Sequence, residues 1–519
     1  MSDKNRFLYP IIASVLVVVG FSLGYILHPN VDSKRASKFE EVLEALDEKY
    51  VDSIDKNKIF DNAINDMLHK LDPHSRYISA RDLKEEQESM EGSFGGIGVR
   101  FQLIKDTICV IKAIPNAPAF FAGMRSGDQI IAINGKPFIG KKINTDKVML
   151  ALRGDVGTDV EVTVLRNRKK KRININRGEI PLETVSTSFM LNQNTGFLRI
   201  DQFSVPTYDE FMVAAETLLN QGMNKLVLDL RGNPGGVMES AIRIADEFLP
   251  KGDVIVSTKS KNQDAEVARA ESGGRLEKVR LVVLIDESSA SAAEILAGAL
   301  QDNDRGVLIG RRTYGKGLVQ QDQILRDGSS VRMTISRYYM PSGRSIQRSY
   351  SGDYDAYMRD EARYLKGELF SKDSIYLDKT KTYRTKNGRK VFGGGGVVPD
   401  EFVPLDTAGT SFYLTALNVN QAFSAYVFKA LQLNRGKWKT ARGLGAYTFT
   451  SADLEAFTGF AYRTYKISGY ELLSKSSRER IAQQLKIEFA RQLWDELGVY
   501  QVTIMEDKEL QLALRKLNK

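Results

Sequence analysis

The chain changes its hydrophobic pattern four times, and each change marks a boundary. Leu8 to Leu27 is an uncharged run of 20 residues behind Lys4 and Arg6. As a helix it would span roughly 30 Å, the thickness of a bilayer's hydrocarbon. The cations before it favour a cytoplasmic N-terminus, which puts everything after residue 28 outside the cytoplasm. A cleaved signal peptide is the rival reading. The run exceeds the apolar region of such peptides, however, and no small-x-small site follows Leu27 directly.

From 34 to 88 the pattern is polar and helical. Phe39, Val42, Leu43, Leu46 and Tyr50 recur at three- and four-residue intervals, and Asp72-Pro73-His74-Ser75 breaks the run as a turn. Short alternating strands divided by glycines then run from about 89 to 178. Val160 to Leu165 alternates, the basic run Arg166 to Arg172 follows as a solvated hairpin tip, and Ile173 to Asn176 resumes the alternation. Between 179 and 405, continuous apolar runs such as Lys225–Leu230 and Leu281–Ile285 each lead through a loop into a helix, the pattern of a buried parallel sheet. The remainder is mostly helical, with Ile481, Leu485, Ile487, Phe489 and Leu493 suited to amphipathic packing. A multidomain α+β chain results: an N-terminal transmembrane helix (1–30), a helical region (31–88), a strand-rich module (89–178), a βα core (179–405) and a C-terminal helical domain (406–519).

Composition adds limits. The chain has 519 residues, too many for one core, and 42% hydrophobic with 27% charged residues is ordinary for globular domains. A net charge of +9 permits attraction to anionic surfaces without arguing for nucleic acid, and none is expected as a partner. The single cysteine, Cys109, lies in an apolar strand and excludes an intrachain disulfide. No His-Glu-x-x-His and no cysteine–histidine cluster is present, so no metal or cofactor is implied.

Two motifs in the strand-rich module belong together. Gly95-Gly96-Ile97-Gly98-Val99 precedes a strand, and consecutive backbone N–H groups in such a loop form a concave anion site. A tight turn is the plain alternative. Ala117 to Met124 and then Gly127-Asp128-Gln129-Ile130-Ile131-Ala132-Ile133-Asn134-Gly135 follow. Together these look like a PDZ domain, a module that grips C-terminal tails. On that resemblance, Gly96, Ile97 and Gly98 hold the substrate tail.

The βα core carries candidate chemistry. Ser288 to Leu300 offers a serine, Ser291, at the mouth of an apolar helix; 25 residues on, Lys316 stands between Gly315 and Gly317. These are the parts of a serine nucleophile with a lysine base, and the three histidines (His28, His69, His74) lie far upstream. As a plain alternative, Ser291-x-x-Glu294 fits a capping box and Lys316 a surface cation. A lysine base must be neutral, whereas at an ordinary pKa of ~10.4 only about one in 2,500 is neutral at pH 7. Burial that lowers the pKa to roughly 7–8 would make it competent. Gln320 shares a strand face with Lys316 but lies ~13 Å away on a straight strand, so only leaning side chains or a bend would join them. Asp302 sits ~16 Å along the helix from Ser291 and reads as support. In Asp229 to Gly236, Gly235 and Gly236 can turn a backbone N–H toward an oxyanion.

In this order, Lys70 to Ser75, the PDZ motifs, Asp229 to Gly236, the Ser291 segment and Thr313 to Gln320 resemble the carboxy-terminal processing (tail-specific) proteases. The resemblance implies a Clp protease/crotonase-like core with Ser291 as nucleophile, Lys316 as general base and Gln320 orienting the lysine. It also implies an oxyanion hole from Ala292 with Gly235 or Gly236, and an arginine, Arg153, linking PDZ to core. The function expected is a serine endopeptidase anchored in the bacterial inner membrane, its catalytic part in the periplasm, cleaving protein or peptide substrates near their C-terminal tails. A catalytically inactive PDZ scaffold is the alternative. A homo-oligomer or an activating adaptor stays open.

Overall fold

The two continuous apolar runs become central strands of a sheet buried on both faces. The computed structural model describes residues 33–104, 106–140, 143–271, 273–504 and 506–519. The expected membrane anchor over residues 8–27 lies outside them, and no helix among the described residues is long and apolar enough to cross a membrane. The chain divides into two compact units, Met1–Leu71 and Asp72–Lys519. In the first, helices Ser33–Lys49 and Lys56–His69 form, the second capped by Asp55, whose carboxylate accepts the Lys58 N–H at 3.1 Å. Val42 and Tyr50 of the expected stripe are exposed.

In the second unit, six strands run in the order Thr187–Met190, Thr195–Arg199, Lys225–Asp229, Arg280–Ile285, Val307–Gly310, Glu401–Phe402. The first pair is antiparallel and the rest are parallel. Parallel strands need crossovers, and helices Thr207–Asn220, Met238–Asp246 and Ala292–Asp302 supply apolar faces to one side. A five-stranded sheet combines Arg76–Ile78, Val254–Ser260, Glu266–Arg269, Leu318–Ile324 and Ser330–Tyr339.

The PDZ-like module has its own core beneath Val99–Ile104, Thr107–Ala113, Gln129–Ile133, Asp159–Arg166 and Lys169–Asn176. The basic run forms the hairpin between the last two strands, turning at Asn167 and Arg168, both at positive φ. Arg166 is tied back to the buried Asp128 at 2.6 and 2.7 Å, while Lys169 to Arg172 are exposed. A two-stranded ribbon, Ser93–Gly96 with Gly178–Pro181, is where the module enters and leaves the chain.

Helices between Phe412 and Asn518 build a separate apolar core. The last, Lys508–Asn518, instead packs Leu510, Ala513 and Leu517 onto Val227, Leu284 and Ile309 on the other face of the parallel sheet. Ion pairs fasten it there. Arg231 binds Asp229 at 2.7 Å and Asp507 at 2.9 Å, and Glu509 joins Arg231 to Arg311.

Leu510 is 1% exposed, so Leu510→Ala leaves a cavity between the last helix and the sheet, at a cost of about 2–5 kcal/mol. Calorimetry should find the thermal midpoint several degrees lower; an unchanged midpoint would show that this helix adds nothing to the core.

Candidate active site

Three loops converge at the carboxyl ends of neighbouring parallel strands, where open α/β sheets place their crevices. Residues 230–237 follow Lys225–Asp229, the turn to Ser291 follows Arg280–Ile285, and residues 311–317 follow Val307–Gly310. Ser291 caps helix Ala292–Asp302 with φ 53° and ψ −115°, a conformation that side-chain-bearing residues avoid. Nucleophilic serines on sharp strand-to-helix turns are held in comparable strain. Gly235 (φ 95°) packs directly against this turn: a Cβ there would lie 2.6 Å from Ser291 Cβ and 2.9 Å from the Ala292 nitrogen.

One buried carboxylate holds the turn in place. Glu294, completely buried, accepts the Ser291 N–H at 3.0 Å and the Lys316 N–H at 2.8 Å on the same oxygen, Oε2. Its Oε1 accepts the Gly315 N–H at 2.7 Å and the Thr313 hydroxyl at 2.5 Å. Burial still pushes the carboxyl's pKa up, against the pull of these four donors. Tyr338 adds a second link, its hydroxyl donating to the backbone carbonyls of both Ser291 and Lys316.

The Lys316 amine donates to Gln320 Oε1 at 2.8 Å, and Gln320 Nε2 donates to the His74 carbonyl at 2.5 Å. The spacing problem is solved by irregular backbone. Lys316 precedes strand Leu318–Ile324, and the register shifts between Val319 and Gln320. Burial, helped by the charges of Arg332 and Arg76 and opposed by Glu294 and Asp72, brings the amine's pKa down to about 8. His74 is itself shifted down to about 4, by burial first and then by Lys316. Its loop is tied by Asp72, which accepts the backbone N–H groups of His74 and Ser75 at 2.8 Å each and the Ser75 hydroxyl at 2.6 Å.

Ser291, Lys316, Gln320, Gly235 and Gly236 all line one cavity of about 620 Å³, floored by Phe203, Leu318 and Tyr338. Ala292 is the buried first residue of its helix. The two glycines differ. Gly235 is buried and donates its N–H to Asn233 Oδ1 at 2.8 Å, whereas Gly236 is exposed to the cleft. Gly96, Ile97 and Gly98 line a different cavity, of about 910 Å³, with Met149 and Leu152. Arg153 lies in its wall, 4.1 Å over the Phe94 ring and 3.6 Å from Glu88. Its contacts are therefore with the ribbon and the helix Ala80–Glu91 before the module. Asp302 pairs with the fully buried Arg344 at 2.8 Å. Reading the sequence missed Glu294, visible there only as a capping partner, and the His74 carbonyl, whose turn sits 246 residues from Gln320.

Two family models match this chain. The family model for PDZ domains matches residues 95–176, and the model for peptidase family S41 matches residues 194–354. The carboxy-terminal-processing protease of Bartonella bacilliformis is 35% identical over 318 residues, covering 60% of this chain and 73% of that protein. Carboxy-terminal processing protease CtpA of Bacillus subtilis is 34% identical over 381 residues, 72% of this chain and 79% of that one. Among solved structures, the photosystem II D1 C-terminal processing protease is 25% identical, spanning 70% of this chain and 92% of its own, with a TM-score of 0.36. With a PDZ domain followed by an S41 peptidase domain and C-terminal helices, this chain belongs to the carboxy-terminal processing protease family of S41 serine peptidases.

Proposed function

We propose that this chain is an endopeptidase that cleaves proteins near their C-termini, with Ser291 as nucleophile and Lys316 as general base on a Clp protease/crotonase-like core. The carrying observation is the single Glu294 oxygen that receives the backbone N–H of both residues, together with a Lys316 amine whose pKa burial lowers to about 8. Ser291 Oγ attacks the peptide carbonyl while Lys316 takes the hydroxyl proton and hands it to the leaving amine. Water then hydrolyses the acyl-enzyme, with the lysine again taking the proton. Gln320, held by the His74 carbonyl, orients the amine. The oxyanion is received by the N–H of Ala292, at a helix N-terminus, with that of Gly236; the commitment of the Gly235 N–H to Asn233 favours Gly236 over its neighbour.

The PDZ domain delivers the tail. Its terminal carboxylate sits in the Gly96–Ile97–Gly98 nest, and its backbone pairs along the edge of Val99–Ile104. The names of the relatives, carboxy-terminal processing proteases, support cleavage near C-termini. Arg153 couples the module to the peptidase indirectly, through Glu88 on a helix whose Met90 and Ser89 carbonyls accept from Val205 and Ser204. The run Leu8–Leu27 anchors the protein in the bacterial inner membrane with the peptidase in the periplasm. A tail-binding scaffold without catalysis is the second reading; the lowered pKa of Lys316 favours the enzyme.

Lys316→Arg keeps a cation that cannot give up its proton, so peptide cleavage should fall by about 10²–10⁴-fold while tail binding is unchanged. Normal turnover by that variant would refute the base assignment. In the unsubstituted enzyme, kcat/KM should rise with pH and level off above about 8, because the neutral amine is the active form; a profile flat from pH 6 to 9 would contradict it. Glu294→Gln replaces one acceptor oxygen by a donor facing N–H groups, and the misplaced turn should cost roughly 10²-fold in kcat with little change in KM. Steady-state kinetics on a peptide substrate would read both parameters.

A further inference from the structure

Two cations, one on the PDZ groove strand and one on the strand beside it, are already paired with the chain's own C-terminal domain. Along Val99–Ile104, Val99, Phe101 and Leu103 pack toward the module's core, so Arg100 and Gln102 point to the opposite face. Arg100 stands directly across from Lys112 on the neighbouring strand. Between them lies the carboxylate of Asp495, bound by the Arg100 guanidinium and at 2.5 Å by the Lys112 amine. Gln102 donates to Ser424 of the same helical domain at 3.1 Å. Asp495 reaches this position only because helix Lys475–Thr503 breaks: Trp494 has φ −136°, ψ 17° and Asp495 has φ 58°, ψ −155°. Arg100, Lys112 and Asp495 all line the cavity that contains Gly96–Gly98, Met149 and Leu152. The anion and the tail groove therefore share walls.

We infer that Arg100 and Lys112 form a carboxylate subsite for an acidic residue immediately before the last residue of a substrate tail, and that Asp495 occupies it in the empty enzyme. The inference rests on the tail-docking reading above. A tail added as a strand along Val99–Ile104 with its terminal carboxylate in the glycine nest points its side chains alternately to the two faces. The last side chain goes to Met149 and Leu152, so the penultimate one goes to the face of Arg100 and Lys112. An Asp or Glu there replaces Asp495 one carboxylate for another. Asp495 competes from within the same chain, at high effective concentration. Only a tail also held by its terminal carboxylate displaces it. The pairs are half exposed, with Arg100 at 49%, Lys112 at 41% and Asp495 at 31%, which suits exchange rather than permanent closure.

The test uses the full chain carrying Ser291→Ala and two labelled octapeptides that share an apolar last residue and differ only in Glu or Gln before it. Fluorescence anisotropy should give tighter binding of the Glu peptide, by roughly fivefold, as expected of partly exposed ion pairs. Asp495→Asn should tighten the Glu peptide further and widen its advantage. Arg100→Gln with Lys112→Gln should abolish the preference; both side chains are exposed enough that this variant remains informative even if Asp495→Asn disturbs its helix. A preference that survives loss of both cations, or equal affinities for the two peptides, overturns the inference. If the peptides bind equally but amidating the C-terminus abolishes binding, tail docking stands and the acidic subsite falls. If amidated peptides bind as well as free acids, tail docking falls and takes the subsite with it.

Discussion

The site depends on one carboxylate in an environment that disfavours its charge. Glu294 is fully buried, and desolvation outweighs four hydrogen-bond donors in setting the direction of its pKa. Removing any one donor would leave an acceptor unpaid in a dry site, which costs more than the bond itself contributes. The four donors are therefore mutually fixed: Ser291 N–H, Lys316 N–H, Gly315 N–H and the Thr313 hydroxyl must meet at one point. That constraint holds Ser291 in its strained turn and places the lysine loop beside it. The negative charge also favours a protonated Lys316, and the nearby charges of Arg332 and Arg76 act against it. Arg332 is kept in place by Asp322 and Glu86, so the second sheet takes part in tuning the amine.

The same loops are braced from behind by the end of the chain. Arg231 lies between the strand residue Asp229 and the cleft glycines, and it is bound by Asp507 and Glu509 at the start of the last helix. Arg311, at the root of the lysine loop, shares Glu509. One helix terminus thus bears on the glycine loop and the lysine loop together. Buried ion pairs of this kind add little net stability but strongly resist the loss of a partner. They set position rather than affinity.

The Ser291 turn, the Lys316 loop and the glycine loops are legible in the sequence because each is a local pattern of small residues. Gln320 was half legible. Its spacing argued for distance, and only an irregular register beyond the reach of pattern reading closes the gap. Glu294 could be read as a cap, which it is, but its bonds to Thr313, Gly315 and Lys316 are long-range and leave no periodic trace. His74 contributes a backbone carbonyl, and a backbone atom has no residue signature. The break at Asp495 is also invisible in the sequence, because no proline interrupts Lys475–Thr503.

The C-terminal domain is attached in two different ways at its two ends. Against the parallel sheet it has apolar packing and, around Arg231 and Arg311, ion pairs with Asp507 and Glu509 whose members are no more than 18% exposed. Against the PDZ domain it has the smaller cluster of Phe428 with Cys109 and Ile111, plus the half-exposed pairs of Asp495. Salt screens the second set far more than the first. The PDZ domain is otherwise joined to the chain by one two-stranded ribbon, with Arg153 stacked on Phe94 at its base, and by ion pairs of Arg153 with Glu88 and Asp155 with Lys84. The helical domain therefore forms a bracket, held by buried contacts on the peptidase side and by half-exposed ones on the PDZ side.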